Sequence, residues 1–306
     1  DSVGDRYFVS NTQSQTIKAR AQDGTVSTFA NVGAAPYGLE IMADTLYACV
    51  GGRVKGYALA DASQVFDLDL GADFLNGITT DGEHLYCTDF SAGRVYKVNP
   101  QTTSFEVLVA TTNGTPNGIV WDPTGQRLVV VFWGANAPIK AFDRNSGAAT
   151  TLVANSGVGS IDGVTIDCHG NFLVASWNPA RITRFDPEFV TPGVNTGIAP
   201  LSNPADIDFD TVHARVCIPN SGSNLVLLAE VDCATGIAQT RRYTTRVYPN
   251  PTPGLVRFDP PMAHAEPYLV LDVRGRLQAT GTLRAKAAMD LSDLPDGLYT
   301  IVFSRL

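Results

Sequence analysis

The sequence predicts an all-β fold: a six-bladed β-propeller over residues 1–242, followed by a small β-sandwich-like domain over residues 243–306. Three observations predict it. A short phrase recurs as Tyr37-Gly38-Leu39, Asn76-Gly77-Ile78, Asn117-Gly118-Ile119, Asp162-Gly163-Val164 and Ala205-Asp206-Ile207, at spacings of 39, 41, 45 and 43 residues. A period of about 40–45 residues with about four strands in each is what a propeller blade requires. Between the phrases, β-branched and aromatic runs alternate with Gly, Pro, Asn and Asp at the roughly 8–12-residue spacing of all-β proteins. Finally, the period stops near Arg242, where Val247-Tyr248-Pro249-Asn250-Pro251 opens a Pro- and Asn-rich junction of the kind that separates domains.

Each repeat reads as four strands, A to D. In the clearest copy, A is 76–80, B is 84–88, C is 94–98 and D is 104–109, with Asp81-Gly82 turning A into B. The same turn recurs at Asp122-Pro123-Thr124-Gly125 and Asp167-Cys168-His169-Gly170. These aspartates read as turn formers, because Asp accepts hydrogen bonds from the backbone just ahead of it and Gly accepts a positive φ. B–C hairpins fall at 5–20, 46–57, 85–98, 127–142, 171–185 and 215–228. That makes six hairpins against five strands A. The unmatched hairpin belongs to the first blade, whose strand B starts near Arg6. Its strand A either lies upstream of Asp1 or is supplied by a later segment such as 237–243.

Composition narrows the function classes. Lys and Arg number 22 against 30 Asp and Glu, a net charge of −8, and the excess of acid lies before residue 243. An acidic chain with no basic run is a poor partner for nucleic acid or an anionic membrane. No apolar stretch approaches the ~20 residues of a membrane helix, so no membrane span is expected. Residues 1–6 do not resemble a signal peptide; either none exists or it has been removed. The five cysteines show no metal-binding spacing and read as buried free thiols, with one disulfide left open, Cys217–Cys233 being the pair considered.

A propeller brings the start of every strand A to one rim of its central channel, so equivalent positions in the repeat converge. The predicted ring is Tyr37, Asn76, Asn117, Asp162 and Ala205. Amide and carboxylate oxygens on a shared rim suit Ca²⁺ or another hard divalent cation. One carboxylate and two amides form a weak set, with a dissociation constant on the order of 10⁻⁴–10⁻³ M for Ca²⁺. The plainer explanation is loop chemistry, since Asn-Gly and Asp-Gly serve tight turns as well. Glu40 and Asp208, three residues further into their strands, read as solvated faces that alternatively line the channel. Trp121, Trp133 and Trp177 read as blade packing; Trp133 and Trp177, at the ends of strands B, are also placed to stack on a sugar ring. His84, His169, His213 and His264 lie at turns or strand ends with no Ser or Cys nucleophile motif beside them. Asn113-Gly114-Thr115 fits a glycosylation sequon and reads as incidental.

Two resemblances add to this. The tail, from about residue 245, resembles the C-terminal sorting domain of type IX secretion cargo through "VYPNPTPG", "LVLDVRGRL" and "LPDGLYTIVF" in that order. The resemblance implies export to the surface or surroundings of a gram-negative bacterium, with the type IX machinery as partner. Such tails usually continue into a short Lys-containing strand, which this sequence does not show after Leu306.

The propeller resembles the senescence-marker-protein/gluconolactonase family, and more loosely NHL-repeat propellers, most specifically in "IDGVTIDCHGNFLVASWNPARITRFDP" at 161–187. Carried over, the resemblance makes Asp162 and Asn117 metal ligands, Asn117 within "PNGIVWDPTG", and makes Asn76, within "LNGITTDG", a substrate-site residue. The family's first-blade Glu ligand would fall before Asp1. Two functions follow as expectations. One is a secreted, non-catalytic propeller whose channel mouth, with Tyr37, Asn76, Trp133 and Trp177, holds a small molecule, a carbohydrate or a cell-surface protein. The other is a divalent-metal-dependent lactonase or esterase with Asp162 as both ligand and base. A monomer is expected in either case.

Overall fold

The computed structural model describes residues 1–233, 246–259, 266–273, 276–284 and 288–303. All the regular elements described are β-strands, and the chain divides into two compact units, Asp1–Cys233 and Ala234–Leu306. Among the described residues no helix is long and apolar enough to cross a membrane.

The first unit is built from six antiparallel sheets in sequence order, the blades of a propeller. The first sheet holds β1 (Arg6–Asn11), β2 (Thr16–Ala21) and β3 (Val26–Asn31). The second holds β4 (Pro36–Met42), β5 (Thr45–Val50), β6 (Arg53–Ala58) and β7 (Gln64–Asp69). The third holds β8 (Leu75–Thr80), β9 (Leu85–Asp89), β10 (Arg94–Asn99) and β11 (Ser104–Val109). The fourth holds β12 (Thr115–Asp122), β13 (Arg127–Trp133), β14 (Ile139–Phe142) and β15 (Ala149–Val153). The fifth holds β16 (Gly159–Ile166), β17 (Phe172–Asn178), β18 (Ala180–Phe185) and β19 (Val194–Asn195), and the sixth β20 (Asp208–Asp210), β21 (Arg215–Asn220) and β22 (Leu225–Glu230). The six hairpins read from the sequence are β1–β2, β5–β6, β9–β10, β13–β14, β17–β18 and β21–β22. The five strands A are β4, β8, β12, β16 and β20.

The burial of each strand follows from its place in a blade. Strands B of the second to fifth blades are covered on both faces by neighbouring blades, so their buried stretches run continuously. Leu128, Val129, Val130, Val131 and Phe132 of β13 are all at most 1% exposed. The outermost strands are wet: β11 is exposed along most of its length.

The aspartates that follow strands A cap their turns as expected. Asp122 Oδ1 accepts hydrogen bonds from Thr124 N at 3.1 Å and Gly125 N at 2.9 Å, and its Oδ2 accepts from Arg127 Nε at 2.8 Å. The opening segment repeats this turn. Asp1 Oδ1 accepts from Val3 N at 3.1 Å and Gly4 N at 2.9 Å, and Arg6 Nε donates to Asp1 Oδ2 at 2.8 Å. The first blade is thus entered at the turn leading into strand B. The other proposed source of its strand A, 237–243, lies outside the described residues, as does His264. The first and last sheets meet through Tyr7, whose hydroxyl donates to Asp210 Oδ2 at 2.5 Å, while His213 Nδ1 lies 2.8 Å from the same oxygen.

The disulfide differs from the pair considered. Cys168 bonds to Cys233, with Cα atoms 5.6 Å apart, while Cys49, Cys87 and Cys217 are free. Cys217 sits within β21 opposite Asp208 of β20. Cys233 lies beyond the end of β22, beside the turn that follows β16. The bridge therefore joins two blades, where a search for pairs within one blade does not look.

Among its described residues the second unit contains two three-stranded sheets. One is β23 (Arg246–Tyr248), β24 (Leu255–Asp259) and β27 (Met289–Asp290); the other is β25 (Glu266–Asp272), β26 (Leu277–Leu283) and β28 (Tyr299–Phe303). Val256, Phe258, Val270, Leu283 and Met289 form its buried core.

Candidate functional site

The second residue of the recurring phrase explains how strands A converge. A Cβ added at Gly77 would lie 2.6 Å from the Asn117 carbonyl, and one at Gly118 would lie 2.7 Å from the Asp162 carbonyl. At Gly163 it would lie 2.5 Å from Ile207 N, and at Gly38 it would meet the Asn76 carbonyl. Each glycine lets the next blade's backbone pass at a distance no side chain permits. Thr88 ties the same strands together: its hydroxyl accepts from Gly77 N at 2.9 Å and donates to the Asn117 carbonyl at 2.5 Å. The starts of β4, β8, β12 and β16 and the segment before β20 thus stand side by side at one mouth of the channel. Register places the ends of strands B there as well, with Thr115 opposite Trp133 and Gly159 opposite Asn178.

Asn117 and Asp162 meet at this mouth. Asn117 is 1% exposed, and its Nδ2 donates to the Ile161 carbonyl at 3.1 Å. Its Oδ1 is buried with no hydrogen-bond partner, and so is Trp177 Nε1. Burial raises the pKa of Asp162 from 3.8 to about 7; nearby Trp177 and Asn117 oppose that rise. A buried amide oxygen without a partner and a desolvated carboxyl each cost free energy unless a proton or a cation meets them.

The channel beyond is acidic. Asp206 occupies the position that is glycine in the other four copies. Its pKa is raised well above the ordinary value by burial, then by the charges of Asp162 and Asp208. Glu40 is raised likewise by burial, then by Asp208. Asp208 is raised chiefly by burial, although water reaches it. Asp208 lines a cavity between the first and last blades, and its charge reaches Glu40 of the second blade, so both stand on the inward side of their strands A rather than on solvated outer faces. Asp206 was missed as a site residue. Its signal was an Asp in the glycine slot, obscured by treating Ala205 as the fifth ring position.

The remaining ring residues divide. Asn76 is half-buried at the start of its strand, one blade from Asn117. Ala205 brings no oxygen ligand. Tyr37 is aromatic packing: its ring lies 4.6 Å from Phe74, which lies 5.5 Å from Phe90. Phe90 lies 6.1 Å from Trp133, which lies 4.9 Å from Trp177. Trp121 packs against the core under the Arg144 guanidinium, as expected of a blade residue. Among the described residues no group of three or more His, Cys, Asp and Glu side chains is arranged to hold a metal ion, so a ligand set here mixes amide with carboxylate.

A family model described as SMP-30/Gluconolactonase/LRE-like region matches residues 6–191. No curated protein matches the sequence. Among solved structures, a gluconolactonase from Xanthomonas campestris superposes with a TM-score of 0.63 at 19% identity, over 74% of this chain and 83% of that one. A chain of a nidogen/laminin complex superposes with a TM-score of 0.59 at 18% identity, over 74% and 93%. Virginiamycin B lyase from Staphylococcus aureus does so with a TM-score of 0.55 at 12% identity, over 74% and 81%. At these identities the likenesses concern the fold.

Proposed function

The chain belongs to the SMP-30/gluconolactonase/LRE-like family, and from that premise we propose that it is a divalent-metal-dependent hydrolase of the lactonase type, with its site at the channel mouth. One observation carries the reading: the buried Oδ1 of Asn117 has no partner, and the Asn117 side chain stands near the buried carboxyl of Asp162. Both are hard oxygen donors of the kind Ca²⁺ and Mg²⁺ take, so the residues present fit such an ion. Asn117 and Asp162 would hold it, and the bound ion would supply Lewis acidity to the ester carbonyl.

The chain's own residues supply the rest. Water adds to the lactone carbonyl, the ring C–O bond breaks, and the product is a hydroxy acid. Asp162, kept ionised by the bound ion against the rise that burial alone would cause, would take the proton from the attacking water. The amide of Asn76, one blade from Asn117 and two from Asp162, would hold the substrate.

Tyr37 and Ala205 leave two ring positions without an oxygen ligand suited to a cation, and this favours a second reading: a propeller that binds its ligand at the same mouth without turnover. We also propose that the protein is exported, the C-terminal unit serving as a type IX sorting module. The inter-blade Cys168–Cys233 disulfide supports an oxidising compartment.

The test is thermal unfolding in EDTA against millimolar Ca²⁺, Mg²⁺, Mn²⁺ and Zn²⁺, with Asp162→Asn alongside, followed by a lactone hydrolysis screen. An ion that binds only the folded state raises the midpoint by mass action. A rise lost in Asp162→Asn, together with turnover, supports the hydrolase. No rise with any ion removes the metal, and saturable ligand binding without turnover leaves the binding propeller.

A further inference from the structure

One position of the recurring phrase breaks the rule that its other copies keep. It is Gly38, Gly77, Gly118 and Gly163 in four blades, and Asp206 in the last. The glycines show which way a side chain there must run. A Cβ at Gly77 would meet the Asn117 carbonyl at 2.6 Å, one at Gly118 the Asp162 carbonyl at 2.7 Å, and one at Gly163 the Cα of Asp206 at 2.6 Å. Each heads for the inner backbone of the following blade. The blade that follows Asp206 is the first, and among the described residues its innermost strand is β1, a strand B. No described strand A stands in the way, and a cavity of about 810 Å³ lies between the first, second and last blades. Glycine is not required at this copy, and a carboxyl fills the slot.

Contacts on both sides place that carboxyl inside the ring. The backbone bearing Asp206 packs on Gly163, the residue after Asp162. The charge of Asp162 in the fifth blade is felt at Asp206, and that of Asp206 at Glu40 and Cys49 in the second. The side chain therefore reaches the channel between the fifth and second blades. Ile207 N donates to it, no cation of the described residues offsets its charge, and a carboxylate has acceptor capacity beyond one such bond. A separate sign of an absent ligand stands beside Asp162. Asn117 is 1% exposed, its Nδ2 is taken by the Ile161 carbonyl, and its Oδ1 has no partner.

We propose that Asp206 supplies a third oxygen side chain to the cation site of Asn117 and Asp162, so that three consecutive blades hold one divalent ion. This rests on the metal reading of that site and not on turnover. Asn117 and Asp162 alone leave half of the ion's charge unmatched in a desolvated place, whereas two carboxylates match it. Affinity for Ca²⁺ follows the number of charged ligands, so binding should be tighter than the roughly 10⁻⁴–10⁻³ M of a one-carboxylate set.

The test is Ca²⁺ titration calorimetry on the whole chain, with Tb³⁺ as a luminescent stand-in whose decay in H₂O and D₂O counts the waters on the ion. Wild type, Asp206→Ala, Asp206→Asn, Asp208→Asn and Asp162→Asn are compared, each checked for folding by its unfolding midpoint in EDTA. Asp206→Ala should weaken Ca²⁺ binding at least about tenfold and add about one bound water, because a hard cation replaces a lost ligand with water. Asp206→Asn keeps an oxygen and loses the charge, so its loss of affinity should be smaller; it carries the test if the Ala variant does not fold. Asp208→Asn removes the same charge from the channel without removing a ligand, and should weaken binding less than Asp206→Asn and leave the water count unchanged. Binding lost in Asp162→Asn but unmoved in both Asp206 variants overturns the proposal and keeps the metal site. Equal weakening by Asp206→Asn and Asp208→Asn, with no added water in Asp206→Ala, overturns it too, since Asp206 would then act through charge alone. A wild type that binds neither ion removes the metal reading and the proposal together.

Discussion

Replacing Asp162 with Asn tests the electrostatics of the mouth without changing its shape. In the folded protein the carboxyl titrates at about 7 instead of 3.8, because burial disfavours its charge. In the unfolded chain it titrates at its ordinary value. Between about pH 4 and pH 7 the unfolded chain therefore releases a proton that the folded chain holds. Stability must fall as pH rises through that window and level off above it. About three pKa units at roughly 1.4 kcal/mol each set an upper bound of about 4 kcal/mol. Water at the mouth reduces this, so about 2–4 kcal/mol is expected, on the order of 5–15 °C in midpoint for a unit of this size. The neutral amide of the variant has no such cost, and its Nδ2 can donate to the orphan Asn117 Oδ1. The assay is unfolding of wild type and Asp162→Asn at pH 5 and pH 8, in EDTA so that no cation masks the charge. Because Glu40, Asp206 and Asp208 are raised as well, the quantity to read is the difference between the two proteins, not the slope of either. The variant should gain on the wild type as pH rises. A difference that is the same at both pH values, or a variant less stable at pH 8 than at pH 5 relative to wild type, refutes the reasoning.

Gly118→Ala should destabilise the propeller by about 1–3 kcal/mol or more, because its Cβ would stand 2.7 Å from the Asp162 carbonyl and 2.9 Å from Gly163 Cα; denaturant unfolding measures it, and a neutral result would mean that neighbouring strands A are not in close contact. Replacing Cys168 and Cys233 together with Ser opens a bridge spanning 65 residues and should cost up to about 4 kcal/mol by the chain-entropy argument; an unchanged midpoint under oxidising conditions would show that the bridge does not form.

Repetition made the fold legible. The recurring phrase gave the period, and the turn aspartates gave the ends of strands A, because Asp122 and its counterparts perform a local task that any copy of the turn needs. The same locality explains the disulfide: Cys168 and Cys233 come together only once two blades are packed, and nothing within either blade signals it. The candidate site was legible where residue type and repeat position agreed, at Asn117 and Asp162, because a rim position and an oxygen donor are both readable from a line of text. What was not readable is burial. Asn117 Oδ1 is an orphan because its Nδ2 is taken by the Ile161 carbonyl, and Glu40 looked solvated because the channel it lines exists only in the closed ring.

Asp206 shows the limit most directly. Its meaning depends on a negative: four copies of the phrase need glycine there so that the next backbone can pass, and the fifth does not obey. Reading the repeat for what recurs assigned the slot to Ala205 and passed over the carboxylate. Departures from a structural repeat carry chemistry because the scaffold's demand has been lifted at that point. At the mouth of this propeller the departure is a carboxyl in place of a glycine. Burial keeps Asp206 protonated well above the ordinary carboxylate range, so the channel carries an oxygen donor whose charge a cation, if bound nearby, would draw out.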